Sequence, residues 1–179
     1  MRLRKRIILG VSILTLIVLV IVFIGVINMR PERVLSNFAN KIERGNIDNV
    51  SLTIYYLYPN SLTPLPLKVD DVIRTCDYEI DVSGKELKEH IDLLKRISAI
   101  DLAPYNHNES YLEARIYYIF KSGNHKIFDV TLWGGWDEFS VFINGVEFYM
   151  DDIFIDMIIP FLPEYAAEQL SVFLSTWKP

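Results

Sequence analysis

YLEARIYYIFKSGNHKIFDVTLWGGWDEFSVFINGVEFYM, residues 111–150, is the stretch whose pattern decides the fold. Residues 111–120 alternate apolar and polar side chains, the period of a half-buried strand. Ser122, Gly123 and Asn124 supply a turn, and residues 126–133 return antiparallel. Gly134 and Gly135 break the run, and residues 138–143 and 146–150 flank Asn144-Gly145. Both positions of a tight hairpin turn favour positive φ, which Asn and Gly adopt at the lowest steric cost. Four strands joined by short antiparallel connections are therefore predicted here.

Upstream, residues 50–58 place Val50, Leu52, Ile54, Tyr56 and Tyr58 on one strand face, and Tyr78, Ile80 and Val82 mark another strand. Helical spacing surrounds them. Pro31 opens a helix with Val34, Leu35, Phe38 and Ile42 as its apolar stripe, and Gly45 closes it. Asp70 is expected to cap a short helix through Val72 and Ile73. Ser83-Gly84-Lys85-Glu86 matches a capping box, opening a helix with Leu87, Ile91, Leu94 and Ile97 inward. Asp151 or Asp152 caps a helix through Ile153, Ile158 and Ile159. A last helix, over residues 164–176, turns Ala167, Leu170, Phe173 and Leu174 inward. The class is α+β, a mainly antiparallel sheet packed with helices and covered mainly on one face.

Ahead of this domain, residues 7–29 form an uninterrupted apolar run behind Arg2, Arg4, Lys5 and Arg6. About 23 residues at roughly 1.5 Å each reach about 35 Å, enough to cross a bilayer core. The basic flank predicts a cytoplasmic N-terminus over residues 1–6. The expected organisation is a single-pass anchor in the cell membrane, an N-terminal transmembrane helix, with residues 30–179 as an outer domain. A cleaved signal peptide would need a shorter apolar region and an Ala-x-Ala-like site. No Ser/Gly-rich stalk follows the run, so the domain is expected to sit close to the bilayer.

Removing the four N-terminal cations from a net charge of −5 leaves −9 on the outer part. A surface so acidic repels phosphate backbones, which argues against nucleic acid as a partner. Cys76 is the single cysteine, so no intrachain disulfide is available and the core must stabilise the fold. Asn49-Val50-Ser51 and Asn108-Glu109-Ser110 match glycosylation sequons and are read as chance.

Catalytic signals are missing from the sequence. His90, His107 and His125 lie on a helix, a loop and a hairpin start, without a second ligand at metal spacing. His125 and Asp129, four apart, are read as a solvent-exposed pair on one strand face. Asp70-Asp71 and Asp151-Asp152 with Asp156 lack the alternating oxygens of a calcium loop, and helix capping accounts for them. No Gly-x-Ser-x-Gly and no phosphate-cradling glycine pattern occurs. No catalytic, metal or cofactor residue is expected. Trp133-Gly134-Gly135-Trp136 is different, because it sets two indoles around a flexible break. Trp136 and Trp133 are the candidate contacts with a ligand or partner, Trp133 expected to be the more buried.

The segments Asn144-Gly145-Val146-Glu147 and Ile158-Ile159-Pro160-Phe161-Leu162-Pro163-Glu164 are similar to the endings of small, uncharacterised, membrane-anchored bacterial proteins. That resemblance implies a bacterial plasma membrane and brings no activity or site residue with it. The expected function is non-enzymatic binding of a protein or envelope ligand near the membrane. The expected partners are the lipid bilayer, through the N-terminal helix, and a membrane or envelope protein. The alternatives are an envelope hydrolase using acidic groups and a ligand-sensing domain acting through a membrane partner.

Overall fold

The computed structural model describes residues 30–59, 61, 63, 65–105, 113–134 and 139–177. The apolar run, Trp136, His107, the second sequon and Gly135 lie outside them. No helix among the described residues is long and apolar enough to cross a membrane.

Helix α1 (Pro31–Glu43) starts on a proline whose missing N–H is one the first turn could not use anyway. It buries Leu35, Phe38, Ala39 and Ile42. Gly45, at φ 77°, then donates to the Ile42 carbonyl and ends it. Strand β1 (Val50–Tyr56) follows. It is two residues shorter than its alternation suggests. Past Tyr56, the Leu57 N–H still reaches the Arg115 carbonyl, while the Tyr58 N–H turns to the Asp77 carboxylate at 2.8 Å.

Helix α2 (Val69–Thr75) begins before Asp70, which falls in its first turn. The cap comes from Asp71, whose Oδ2 accepts from the Lys68 N–H at 3.0 Å. Strand β2 (Tyr78–Val82) leads into the capping box, where Glu86 accepts from the Ser83 N–H at 2.8 Å. The helix expected beyond it does not run through. It divides into α3 (Gly84–Glu89), α4 (Ile91–Lys95) and a 3₁₀ turn, Arg96–Ala99. The break is His90, at φ −115° and ψ 27°. Its ring packs edge-on against Phe161 at 5.1 Å, and its carbonyl restarts the ladder by accepting from Leu93 and Leu94.

Strands β3 (Glu113–Ser122), β4 (His125–Gly134), β5 (Phe139–Ile143) and β6 (Val146–Tyr149) form the expected meander. Asn144 at φ 50° and Gly145 at φ 79° make the hairpin turn read from the sequence. Asp152 is the N-cap of α5 (Ile153–Asp156) without a side-chain bond of its own, and Asp151 ahead of it accepts from the Ile153 N–H at 2.9 Å; the helix stops short of the expected Ile158 and Ile159. A 3₁₀ turn (Ile159–Phe161) and helix α6 (Glu164–Trp177) are the last described elements. The inward stripe of α6 is narrower than expected: Ala166 and Leu170 are buried, whereas Ala167, Phe173 and Leu174 are only half-buried.

All pairings are antiparallel, in the order β2-β1-β3-β4-β5-β6. One face of the sheet, carrying Leu52, Ile54, Tyr118, Phe120, Phe128, Val130 and Val141, makes a single core with α1, α3, α4, α5 and α6. Two buried hydroxyls fasten that face to its cover. Tyr118 donates to the Phe154 carbonyl at 2.8 Å, and Tyr56 to the Ala166 carbonyl at 3.1 Å. The sheet's two edges differ. Alongside β6, residues 103–105 add a strand-like segment, with Tyr149 N–H on the Ala103 carbonyl and Tyr105 N–H on Glu147. The outer edge of β2 instead carries Glu79 and Asp81.

The second half of helix α1 is fixed over one end of the sheet. Phe38 packs on Phe120 and Phe128 at 4.8 and 5.0 Å, and one turn later Lys41 Nζ donates to Ser122 Oγ at 2.7 Å. The helix therefore runs toward the Gly123 turn.

Candidate functional site

The second face of the sheet has a different composition. Because strand side chains alternate, it receives every residue out of phase with the core. The register lines these up in rows. One runs across all six strands as Glu79, Tyr55, Tyr117, Thr131, Phe142 and Glu147. Beside it stand Ala114, Trp133, Ser140 and Tyr149. Helix α2 covers one end of this face. Its buried Val72, with Leu57 and Ala114, lies outside the helix-side core, and the Ala114 N–H donates to the Leu67 carbonyl at 3.0 Å.

Three aromatic pairs occupy the face. Tyr55 and Tyr117 stack at 5.9 Å with planes 21° apart. Trp133 and Phe142 sit at 5.4 Å, and Tyr105 and Tyr149 at 4.3 Å. Such separations are those of favourable ring contacts. Tyr55, Tyr117, Trp133, Phe142 and Tyr105 are half-buried, and Tyr149 is 56% exposed. Trp133 therefore stands on the second face and not in the helix-side core, half-buried where burial was expected. Trp136 lies outside the described residues.

Two polar atoms in the second row are left over. Ser140 is fully buried, yet its Oγ finds no hydrogen-bond partner among the described residues. The same holds for the buried indole Nε1 of Trp133, its direct cross-strand neighbour. Buried polar groups are normally paired, so two orphans facing each other in the register need an explanation.

Glu79, Asp81, Asp129 and Glu147 share this face with Lys121 and Lys126. Burial pushes the Tyr117 hydroxyl up to about 12, with Asp129 adding to the effect. The Tyr55 hydroxyl is raised by burial first, then by Glu79. Asp129 does not meet His125 in the way their spacing suggested. Its carboxylate takes Lys126 Nζ at 2.5 Å, and its N–H donates to the Asn144 side chain at 3.2 Å.

Elsewhere the chemistry is structural. Asp71 is held below the usual carboxylate range by the Lys68 N–H and by Arg74, and Asp156 pairs with Arg96 at 3.6 Å. Among the described residues, no group of three or more His, Cys, Asp or Glu side chains could hold a metal ion. Burial pushes the Cys76 thiol up, which disfavours the thiolate a nucleophile would need. A bulge between Ala114 and Ile116 interrupts the β3–β4 register at Arg115. The Arg115 guanidinium borders a cavity of about 10 Å³ between the sheet and α6, room for about one water. Its Nη2 is held by Glu113 at 2.8 Å, and Glu113 also accepts from Thr63. At the Gly123 end, Asp48, Ser83 and Ser122 border an open groove of about 560 Å³.

Sequence reasoning missed Tyr105, Tyr117, Ser140, Phe142 and Tyr149. The usable signal was parity: on β3 to β6, residues out of phase with the core include more aromatics than a solvated face requires. What the fold defines is an α+β domain with one helix-covered sheet face and one aromatic face. Comparison with protein-family models, with curated proteins and with solved structures finds no match to this chain.

Proposed function

We propose that this chain is a single-pass protein of the cell membrane whose outer domain, residues 30–179, is a non-catalytic binding module. Residues 7–29 lie in lipid, residues 1–6 face the cytoplasm, and the second sheet face receives a protein or envelope ligand. The supporting observation is that face itself: three aromatic pairs over five strands, of which a helix covers only one end among the described residues. Clustered half-exposed aromatics are what binding surfaces require and what an idle solvated face lacks. A hydrolase would need carboxylates facing one another across a cleft. Of the acids described above, Asp71, Glu86 and Asp151 receive backbone donors at helix starts, and Glu113, Asp129 and Asp156 pair with Arg or Lys.

The test is site-specific photocrosslinking of the full chain in intact cells. A photoreactive residue in place of Phe142 or Tyr149 is expected to give adducts absent when Lys88, on the helix side, is replaced. Equal labelling from both sides, or a domain shielded from protease added to sealed cells, overturns the reading.

A further inference from the structure

We infer that the second face binds an uncharged, hydroxyl-bearing glycan chain, with Trp133 and Ser140 at the centre of the site. This inference rests on the reading of that face as a binding surface. Ligand class follows from three constraints. The first is aromatic area: Tyr55, Tyr117, Trp133, Phe142 and Tyr149 offer ring faces, which stack on the C–H face of a pyranose as readily as on another ring.

The second constraint is the pair of orphaned polar atoms. Trp133 Nε1 can only donate, whereas Ser140 Oγ can donate or accept. A ligand that satisfies both must carry groups that do the same, and a hydroxyl does both with one atom. An all-apolar partner would leave the pair as it stands, buried and unpaired, and would gain no hydrogen bond from it.

Charge supplies the third. Glu79 and Glu147 close the two ends of the long row, and Asp81 and Asp129 lie on the row beside it. Lys126 is engaged with Asp129. A polyanionic chain would meet repulsion from Glu79 and Asp81 at the β2 edge, so the complementary glycan is neutral. The geometry also favours a chain over a single sugar. From Tyr55 on β1 to Tyr149 on β6 there are four inter-strand steps, about 19 Å at roughly 4.8 Å each, longer than one ring. Both orphaned atoms are buried. Tyr149, directly opposite Ser140 in the register and the most exposed of the aromatics, is the side chain that turns aside to admit the ligand.

The experiment is calorimetric titration of the full chain in zwitterionic-lipid nanodiscs with cellotetraose and with chitotetraose. Glucose and an acidic tetragalacturonate serve as comparisons. At least one neutral tetrasaccharide is expected to bind, more tightly than glucose and than the acidic tetramer. Trp133→Ala should weaken it at least about tenfold. Ser140→Ala separates a binding role from a structural one. It removes an orphaned hydroxyl, so thermal stability should hold or rise while affinity falls.

The inference is overturned if neither neutral tetrasaccharide binds at concentrations up to about 10 mM. Tighter binding of the acidic tetramer, glucose binding as strongly as the tetramers, or unchanged affinity in Ser140→Ala would also overturn it. If the sugars fail while crosslinks from Phe142 and Tyr149 persist, the face binds a protein, and only the glycan assignment is lost.

Discussion

Tyr118→Phe tests the attachment of the C-terminal helices to the sheet. The Tyr118 side chain is fully buried, and its hydroxyl donates to the Phe154 carbonyl at 2.8 Å. Because α5 is a single turn, that carbonyl depends on a donor from elsewhere in the fold. Removing the hydroxyl leaves a buried acceptor unsatisfied, which costs about 1–3 kcal/mol. For a domain of this size each kcal/mol moves Tm by about 2–4 °C, so 2 kcal/mol corresponds to a fall of about 4–8 °C.

The pH dependence gives an independent check. Burial raises the Tyr118 hydroxyl well above its ordinary value, whereas in the unfolded chain it ionises near pH 10. Below about pH 10 both states hold the proton and the contribution is constant. As pH rises beyond that, the unfolded state releases the proton and the folded state resists. Wild-type stability therefore falls by about 1.4 kcal/mol per pH unit from this one group. The phenylalanine variant lacks that loss, so the gap between the two proteins should narrow from pH 7 to pH 11. Thermal unfolding followed by circular dichroism at both values measures it. Equal Tm at pH 7, or a gap that widens with pH, would refute the reasoning.

Gly84→Ala should destabilise despite alanine's better helix propensity, worth about 1 kcal/mol. Its Cβ would stand 2.3 Å from the Ile47 carbonyl oxygen and 2.8 Å from that of Asp48, both backbone atoms with little room to yield. A loss of about 1–3 kcal/mol in urea unfolding is expected, and a gain would show that the approach of α3 to this turn is misread. Asn144→Ala places an alanine at φ 50° and removes the acceptor of the Asp129 N–H. The expected cost is about 1–2 kcal/mol, with Asn144→Gly recovering the share due to φ; a glycine variant as unstable as the alanine one would assign the whole effect to the hydrogen bond.

The parts of the fold that local chemistry dictates were legible in the chain. Asn144-Gly145 announces its hairpin because few other pairs tolerate both torsions, and Ser83 with Glu86 announces a helix start because the two side chains satisfy each other's backbone donors. Alternation from Val50 and again through residues 113–134 separates inward from outward residues. It says nothing of what lies over the outward ones. That is why Trp133 could be nominated while Tyr117, Phe142 and Tyr149 were passed over: their proximity is created by register across strands far apart in sequence. The break at His90 was hidden for a related reason, since the ring it packs on belongs to Phe161, some seventy residues later. The bulge at Arg115 and the orphaned Ser140 hydroxyl have no periodic signature at all.

The unlike borders of the sheet bear on how copies of this protein behave in a crowd. One margin is already occupied by its own chain, so no neighbour can extend the ladder there. On the other, two molecules joining β2 to β2 would bring Glu79 and Asp81 of each into a line of like charges, and such a seam does not close. Dense packing of these domains should therefore leave each sheet ending where it does now.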